Sequence, residues 1–210
     1  MVRVILLTAA LSWWASSARG QSLFLSPGEH AAEGSIAWSV GPFSQGVEAH
    51  GAVSINGRWD VGFGVNRYNA DFGGNADTTL TEWTPFVRYF WFKEDDDGVP
   101  VSVAAHAQYF HDEYSGVDKG WYALAGGDLF KKLTMTGSFA IYPYVGFSVA
   151  GESVQFSGTL PDRSVYLTRQ FGVHAQVAVG GSGWLRLTVE EHSFRRETFR
   201  AARMAYVRKL

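Results

Sequence analysis

The sequence predicts an all-β fold, an antiparallel up-and-down transmembrane β-barrel of ten strands, with eight as the alternative count. Apolar and polar residues alternate with a period of two along most of the chain, and short turns separate the alternating segments. By pattern the segments are about 9–14 residues long, enough for a tilted strand to cross a bilayer. The composition agrees, because 24 glycines and 15% aromatic residues favour strands with tight turns over long soluble helices.

Residues 1–20 are predicted to be a cleaved signal peptide, and residues 21–210 to be a single barrel domain. A positive charge at Arg3 precedes a compact apolar core, and small residues follow. Cleavage before Gln21 is favoured, and cleavage after Ala18 fits nearly as well. The apolar core is too short for a membrane anchor. No later window holds eighteen consecutive apolar residues, which excludes a helical span.

The first alternating segments are residues 35–40, 47–55 and 59–65. Between the second and third lies Asn56-Gly57, the strongest hairpin signal in the chain, since both turn positions accept positive φ. Segment 35–40 is short. If it and one other weak segment do not pair, the strand count falls to eight.

Two further strands are predicted at residues 81–91 and 101–109, joined by the acidic turn Lys93–Gly98. Pro85 lies inside the first of them. Because proline has no N–H to donate to a ladder, we expect it to mark a bulge or a local break.

The second half of the chain continues the hairpin order. The predicted strands and turns are residues 121–130 and 138–150, joined through Lys131–Lys132, the hairpin 171–194 with its turn at Gly180–Gly183, and the last strand 198–210. The last strand is the least regular, because Arg200 and Arg208 share a phase with its apolar residues.

The polar face of these strands favours a transmembrane barrel over a soluble one. Charges of both signs are scattered among small residues, which suits a narrow lumen where side chains pair across the barrel. The predicted lumen-facing polar network consists of Glu48, His50, Asp60, Arg88, His106, Asp128, His174, Arg186 and Glu190. A predicted aromatic girdle at one interface consists of Trp59, Trp91 and Trp184, each near a short turn. A soluble lipocalin-like barrel, with its apolar face inside, stays the alternative.

Taken together, the mature chain resembles the small bacterial outer-membrane β-barrel proteins, the group of OmpA-like and OmpX-like barrel domains. The resemblance depends on the signal peptide, the long paired strands with short turns, and the final strand ETFRAARMAYVRKL. The chain departs from the pattern at its end, which is Leu210 instead of an aromatic residue. Nothing after the barrel resembles a peptidoglycan-binding domain.

The resemblance implies a location in the bacterial outer membrane, insertion by the barrel assembly machinery, and a monomer. It also implies that the short turns face the periplasm. The loops at 71–79, 112–119 and 151–163 would then face outward.

One cluster, Glu190-Glu191-His192-Ser193, resembles the His, Ser and carboxylate set that lipid-modifying outer-membrane barrels place near the outer rim, which would imply an enzyme acting on lipid. A serine nucleophile needs a base within hydrogen-bond reach, but adjacent residues of a strand point to opposite faces. We therefore expect no catalytic residues, and a non-enzymatic barrel with a structural or narrow-pore role. The rim enzyme and the soluble ligand binder remain the alternatives.

No cofactor or metal site is expected. His50, His106, His174 and His192 share the predicted lumen face, but histidines spread over separate hairpins more often serve as hydrogen-bond partners than as metal ligands. With a net charge of -2 and no basic stripe, the sequence gives no reason to expect a nucleic-acid partner. Ten strands also enclose too small a lumen for a wide porin.

Overall fold

A computed structural model describes residues 22–41, 44–71, 77–114, 119–136, 138–155, 162–194 and 197–210. The predicted signal peptide, residues 1–20, lies outside the described residues. The strands are β1 (Ala31–Val40), β2 (Ser44–Ile55), β3 (Trp59–Asp71), β4 (Asp77–Phe92), β5 (Ser102–Tyr114), β6 (Lys119–Phe130), β7 (Leu133–Thr136), β8 (Phe139–Gln155), β9 (Asp162–Val179), β10 (Gly183–Phe194) and β11 (Glu197–Lys209).

Within the described ranges, ten long antiparallel strands form a closed ring, and the short β7 is an addition to it. Each long strand pairs with its neighbours in chain order, β6 pairs with β8, and β11 pairs with β1. The prediction of ten strands is confirmed. The eight-strand alternative is wrong, because β1 pairs along its whole length with both β2 and β11.

The two ends of the barrel differ in their connections. One end, here the turn end, holds the tight turn at Asn56–Arg58, the turn before Gly183, and both termini of the ring at Ala31 and Lys209. The opposite end is the loop end, where β3 and β4 finish their pairing at Asp71. The turn end also carries a helix, α1 (Glu94–Asp97). In the described part of the chain no helix is long and apolar enough to span a membrane.

The connection after β6 differs from the predicted one. The strand direction continues past Lys131–Lys132 into β7, which pairs with β8 from Leu133 to Thr136. The two lysines therefore lie beside α1 instead of forming a turn, and Lys131 and Lys132 contact Glu94 and Asp95.

The predicted outward loops are shorter than expected. β8 and β9 stay paired as far as Val154 and Asp162, so most of the predicted loop 151–163 is strand. Likewise β4 begins at Asp77, and β5 extends to Tyr114. These ends lack apolar alternation because backbone pairing does not require it once a strand leaves the apolar layer.

Pro85 marks a local break, as predicted. The β4–β5 pairing skips from Trp83 to Phe86 without a change of register, since proline has no N–H for the ladder. A register shift in β4 falls instead between Phe90 and Phe92.

The barrel is inverted relative to a soluble one. Large apolar side chains face outward and are exposed, for example Leu187 at 54% and Phe147 at 61%. Charged side chains on the other phase are buried inside, for example Arg186 at 0%. The soluble lipocalin-like alternative is therefore wrong, since exposed apolar bands of this extent require lipid around them.

Candidate functional site

All nine residues of the predicted polar network lie on the inner face and are at most 7% exposed. They are Glu48, His50, Asp60, Arg88, His106, Asp128, His174, Arg186 and Glu190. They divide into separate groups along the lumen, and each group includes residues that sequence reasoning missed.

The first group centres on Asp128 of β6. Its Oδ2 lies 3.0 Å from Arg88 Nη2 and 2.8 Å from His106 Nδ1, and its Oδ1 accepts a hydrogen bond from Gln170 Nε2 at 2.6 Å. The other ring nitrogen of His106 lies 2.8 Å from Ser148 Oγ. A buried carboxylate with three partners meets the requirement that buried charges be paired and hydrogen-bonded.

The second group joins β10, β11, β1 and β2. Arg186 Nη2 lies 2.5 Å from Glu33 Oε2, and Arg203 Nη2 lies 2.7 Å from Glu48 Oε2. His50 also contacts Glu48. Glu33 and Arg203 were not predicted. The period-two phase could have found both, because Glu33 continues the phase of Ser35 toward the turn end, and Arg203 has the inward phase of β11.

The third group contains His174 and Glu190. The Tyr144 hydroxyl donates to Glu190 Oε2 at 2.5 Å, and the Tyr144 ring stacks on His174 with centroids 4.8 Å apart. His174 Nδ1 lies 2.8 Å from Thr188 Oγ1. Tyr144 was missed because tyrosine fits either face of a membrane strand.

Glycines on the inner face allow these contacts to cross a strand. His106 of β5 and Ser148 of β8 both lie opposite Gly126 of the strand between them. A Cβ at Gly126 would lie 2.4 Å from Ser148 Oγ. In the same way, Gly172 lies between Tyr144 and Glu190. The inner-face glycines therefore leave the space in which polar side chains of next-nearest strands meet.

Asp60 lies at the turn end, where its partners come from the neighbouring strand and from the segment before β1. Its Oδ1 accepts hydrogen bonds from Ser54 Oγ at 2.5 Å and from the backbone N–H and hydroxyl of Ser22 at 2.9 and 2.6 Å. Ser22 belongs to the segment before β1, which was not predicted to enter the lumen.

The predicted aromatic girdle is only partly found on the outer face. Trp59 and Trp91 are exposed there, and Trp59 packs on Tyr89 with ring centroids 4.6 Å apart. Trp184 instead shares the inward phase of Arg186 and packs against the buried cluster of Leu25, Ala31 and Val207. The distance of a residue from a turn determines its depth in the membrane, but only its phase in the strand determines whether it lies on the inner or the outer face.

The Glu190-Glu191-His192-Ser193 cluster lacks the geometry of a nucleophile and its base. His192 is buried on the inner face, with Nε2 3.7 Å from Glu190 Oε2, while Ser193 has the opposite phase.

A Ser-His-Asp hydrogen-bond series is found elsewhere, in Ser148, His106 and Asp128. This is the connectivity of a catalytic triad. Ser148 is only 5% exposed, and toward the loop end the lumen holds the packed rings of Phe110, Tyr122 and Tyr166. The arrangement can hold a proton between Ser148 and His106, but substrate would have to pass these rings to reach it.

No family model matches the sequence, and no curated relative matches it either. Among solved structures, the translocator domain of the autotransporter NalP from Neisseria meningitidis matches with a TM-score of 0.50 at 8% identity, over 100% of this chain and 96% of that one. The outer-membrane protease OmpT from Escherichia coli matches with 0.47 at 10% identity, over 90% and 100%. Ail, the attachment invasion locus protein of Yersinia pestis, matches with 0.45 at 10% identity, over 88% and 99%.

This is the fold of bacterial outer-membrane β-barrels. At such low identity the likeness concerns the fold alone, and the inverted faces described above give it its place in a membrane. In an outer-membrane barrel the outer face contacts lipid, and the inner face determines whether solutes can pass through the lumen.

Proposed function

We propose that this chain is a non-enzymatic barrel of the outer membrane with a structural role and a lumen filled by its own paired side chains. The observation that supports this most is the full burial of the lumen charges. Arg88 and Arg186 are among the largest fully buried side chains of the described residues, and each has a carboxylate partner. Arginines in a water-filled channel would be exposed to that water.

The size of the ring supports the same proposal. A barrel of about eight strands has an interior just wide enough for side chains to fill, and ten strands add little to it. Here Phe90, Phe130 and Tyr144 occupy inward positions among the charged groups. We therefore propose that passage is limited at most to a narrow path for water or small ions.

A single-channel recording of the refolded protein in a planar bilayer tests this proposal. We expect no stepwise openings. The matched variant is Arg203→Ala, which removes one of the partners of Glu48 from the inner face. Its counterpart is Arg200→Ala on the exposed outer face. Openings that appear with Arg203→Ala alone would support a lumen closed by its network. A large steady current through the unaltered protein would contradict the structural role.

An enzyme is the second candidate, and the Ser148, His106 and Asp128 series is the observation that favours it. A small sulfonyl fluoride tests it, because an activated serine forms a covalent adduct with this reagent. We expect no added mass. An adduct that disappears in Ser148→Ala would overturn the non-enzymatic proposal.

We propose that the barrel is a monomer in the lipid bilayer and that the barrel assembly machinery inserts it, with the turn end in the periplasm. The closed ring supports the monomer, because within the described strands every edge of the ten long strands is paired along the chain order. Sedimentation in detergent tests the oligomeric state.

A further inference from the structure

The segment before β1 enters the barrel at its turn end. Ser22–Phe24 form one turn of 3-10 helix, and Ser22, Leu23 and Leu25 are 0%, 4% and 2% exposed. The chain then leaves the lumen, and Glu29 at the rim contacts Lys209. We call residues 22–29 the N-terminal segment.

Its polar anchor is Asp60, which is 0% exposed. One carboxylate oxygen accepts both the backbone N–H and the hydroxyl of Ser22. Ser54 donates to the same oxygen from the neighbouring strand. A buried carboxylate needs several donors, and the N-terminal segment supplies two of them.

Its apolar contacts reach strands around most of the ring. Leu23 belongs to one buried cluster and Leu25 to another, and the Phe24 ring lies edge-on to Tyr142 at 4.8 Å and under the Arg186 guanidinium at 5.6 Å. The segment has direct contacts with Asp60 of β3, Tyr142 of β8 and Arg186 of β10. Its two clusters also include residues of β1, β4, β5, β6 and β11, namely Ala31, Phe90, Ala104, Phe130 and Val207. A segment that contacts opposite walls of the ring lies across its opening.

The turn end is shaped to hold the backbone of this segment. Lys93 Nζ donates to the Leu25 carbonyl and also pairs with Asp96 of α1 at 2.6 Å. The turn residue Gly57 has φ +62°, and a Cβ there would lie 2.3 Å from the Ser26 carbonyl oxygen. Lys93 is 2% exposed, so its ammonium group is buried where it binds the segment.

We infer that the N-terminal segment is an intramolecular plug that seals the turn end of the lumen, and that its withdrawal admits water to the lumen beside Asp60. This deepens the proposed function, since it rests on a closed lumen and names a removable part of the closure. The plug is a stretch of peptide with its own anchors, whereas the network above it consists of side chains fixed on strands.

Thiol labelling tests the plug, because the chain contains no cysteine that could interfere. A Ser54→Cys reporter places a thiol beside the plug anchor, at a position that is 2% exposed. The refolded protein in detergent is treated with a water-soluble maleimide, once with the full segment and once with residues 22–29 deleted. We expect labelling to be at least about tenfold faster after deletion, since a buried thiol reacts only through local opening.

A second variant keeps the test valid if the deletion does not fold. Leu23→Asp places a charge in the apolar cluster of the plug and should also accelerate labelling, whereas Glu29→Gln at the exposed rim should not. Circular dichroism confirms that each variant retains its strands. Fast labelling of the reporter in the full chain, or slow labelling in both plug variants, would overturn the inference. Channel openings in the unaltered protein, together with a reporter that stays protected, would instead contradict the structural role but not the plug.

Discussion

The lumen and the turn end both contain ion pairs between a basic side chain and a carboxylate, but in different surroundings. In the lumen, Arg88 and Asp128 are 1% and 0% exposed at a separation of 3.0 Å. At the turn end, Lys132 and Asp95 are 28% and 48% exposed at 2.5 Å. Water can replace a lost partner at the turn end but not in the lumen. The contribution of an ion pair to stability therefore depends more on its burial than on the distance between its charges.

The turn end also shows how an acidic run can be neutralised by one basic side chain for each carboxylate. Each of the four acidic residues of α1 contacts one base: Glu94 with Lys131, Asp95 with Lys132, Asp96 with Lys93, and Asp97 with Arg58. These pairs connect the turn between β2 and β3, α1 and the β6–β7 junction. In the lumen, by contrast, one carboxylate such as Asp128 binds several partners at once.

The largest effect is expected from Asp128→Ala. It leaves the Arg88 charge and the His106 ring buried without their shared acceptor, which costs about 3–5 kcal/mol in the free energy of unfolding. Denaturant unfolding in detergent, followed by tryptophan fluorescence, measures the loss. The double variant Arg88→Leu with Asp128→Leu should lose less than the single one, because the buried guanidinium that paired with Asp128 is removed as well. A double variant as unstable as the single would refute the role given to the buried charge.

The next effect is expected from Gly126→Ala. The added methyl would lie 2.1 Å from the Phe147 carbonyl oxygen and 2.4 Å from Ser148 Oγ, so the wall or the His106 contact must shift, at about 1–3 kcal/mol. The control is Gly151→Ala on β8, where nothing lies within 4 Å of the new methyl. Equal unfolding midpoints for the two variants would show that the lumen tolerates this volume and that the glycine is not required.

The sequence could predict the ring and the inward phase, because both follow from the period of two. Asp60, Arg88 and Arg186 could be assigned to the lumen without knowing any contact. Their partners could not, because the register between strands decides which side chains meet. Arg203 pairs with Glu48 over a sequence separation of 155 residues, and no local pattern records that.

The junction at Lys131–Lys132 and the plug were also hard to predict, but for a different reason. Lys131–Lys132 is typical of a turn locally, yet the two lysines pair with Glu94 and Asp95 and the strand direction continues into β7. Residues 22–29 contain no alternation, so the period of two assigns them to no strand. Their place in the lumen depends on the Asp60 carboxylate in β3, which is distant from them in the sequence.

A smaller effect is expected from Asp95→Asn at the turn end. The pair with Lys132 is exposed, and such pairs contribute about 0.2–1 kcal/mol. Asp95→Asn should therefore lower the free energy of unfolding by much less than Asp128→Ala does. The loss from Asp95→Asn should be smaller still at high salt, because salt screens the charges of this exposed pair. A loss as large as that of Asp128→Ala would mean that burial does not separate the two regions.

The smallest effect is expected from acid acting on Asp97. The hydrogen bond from Arg58 holds the pKa of the Asp97 carboxyl below its usual range. A lowered pKa in the folded protein stabilises it above the unfolded value of about 4, and this contribution is lost as pH falls through the folded pKa. Asp97→Asn should therefore lower stability slightly at pH 7 and not at all once both forms are protonated. Unfolding midpoints of the two proteins that stay equally far apart from pH 7 down to the acid limit would show that the contact does not titrate.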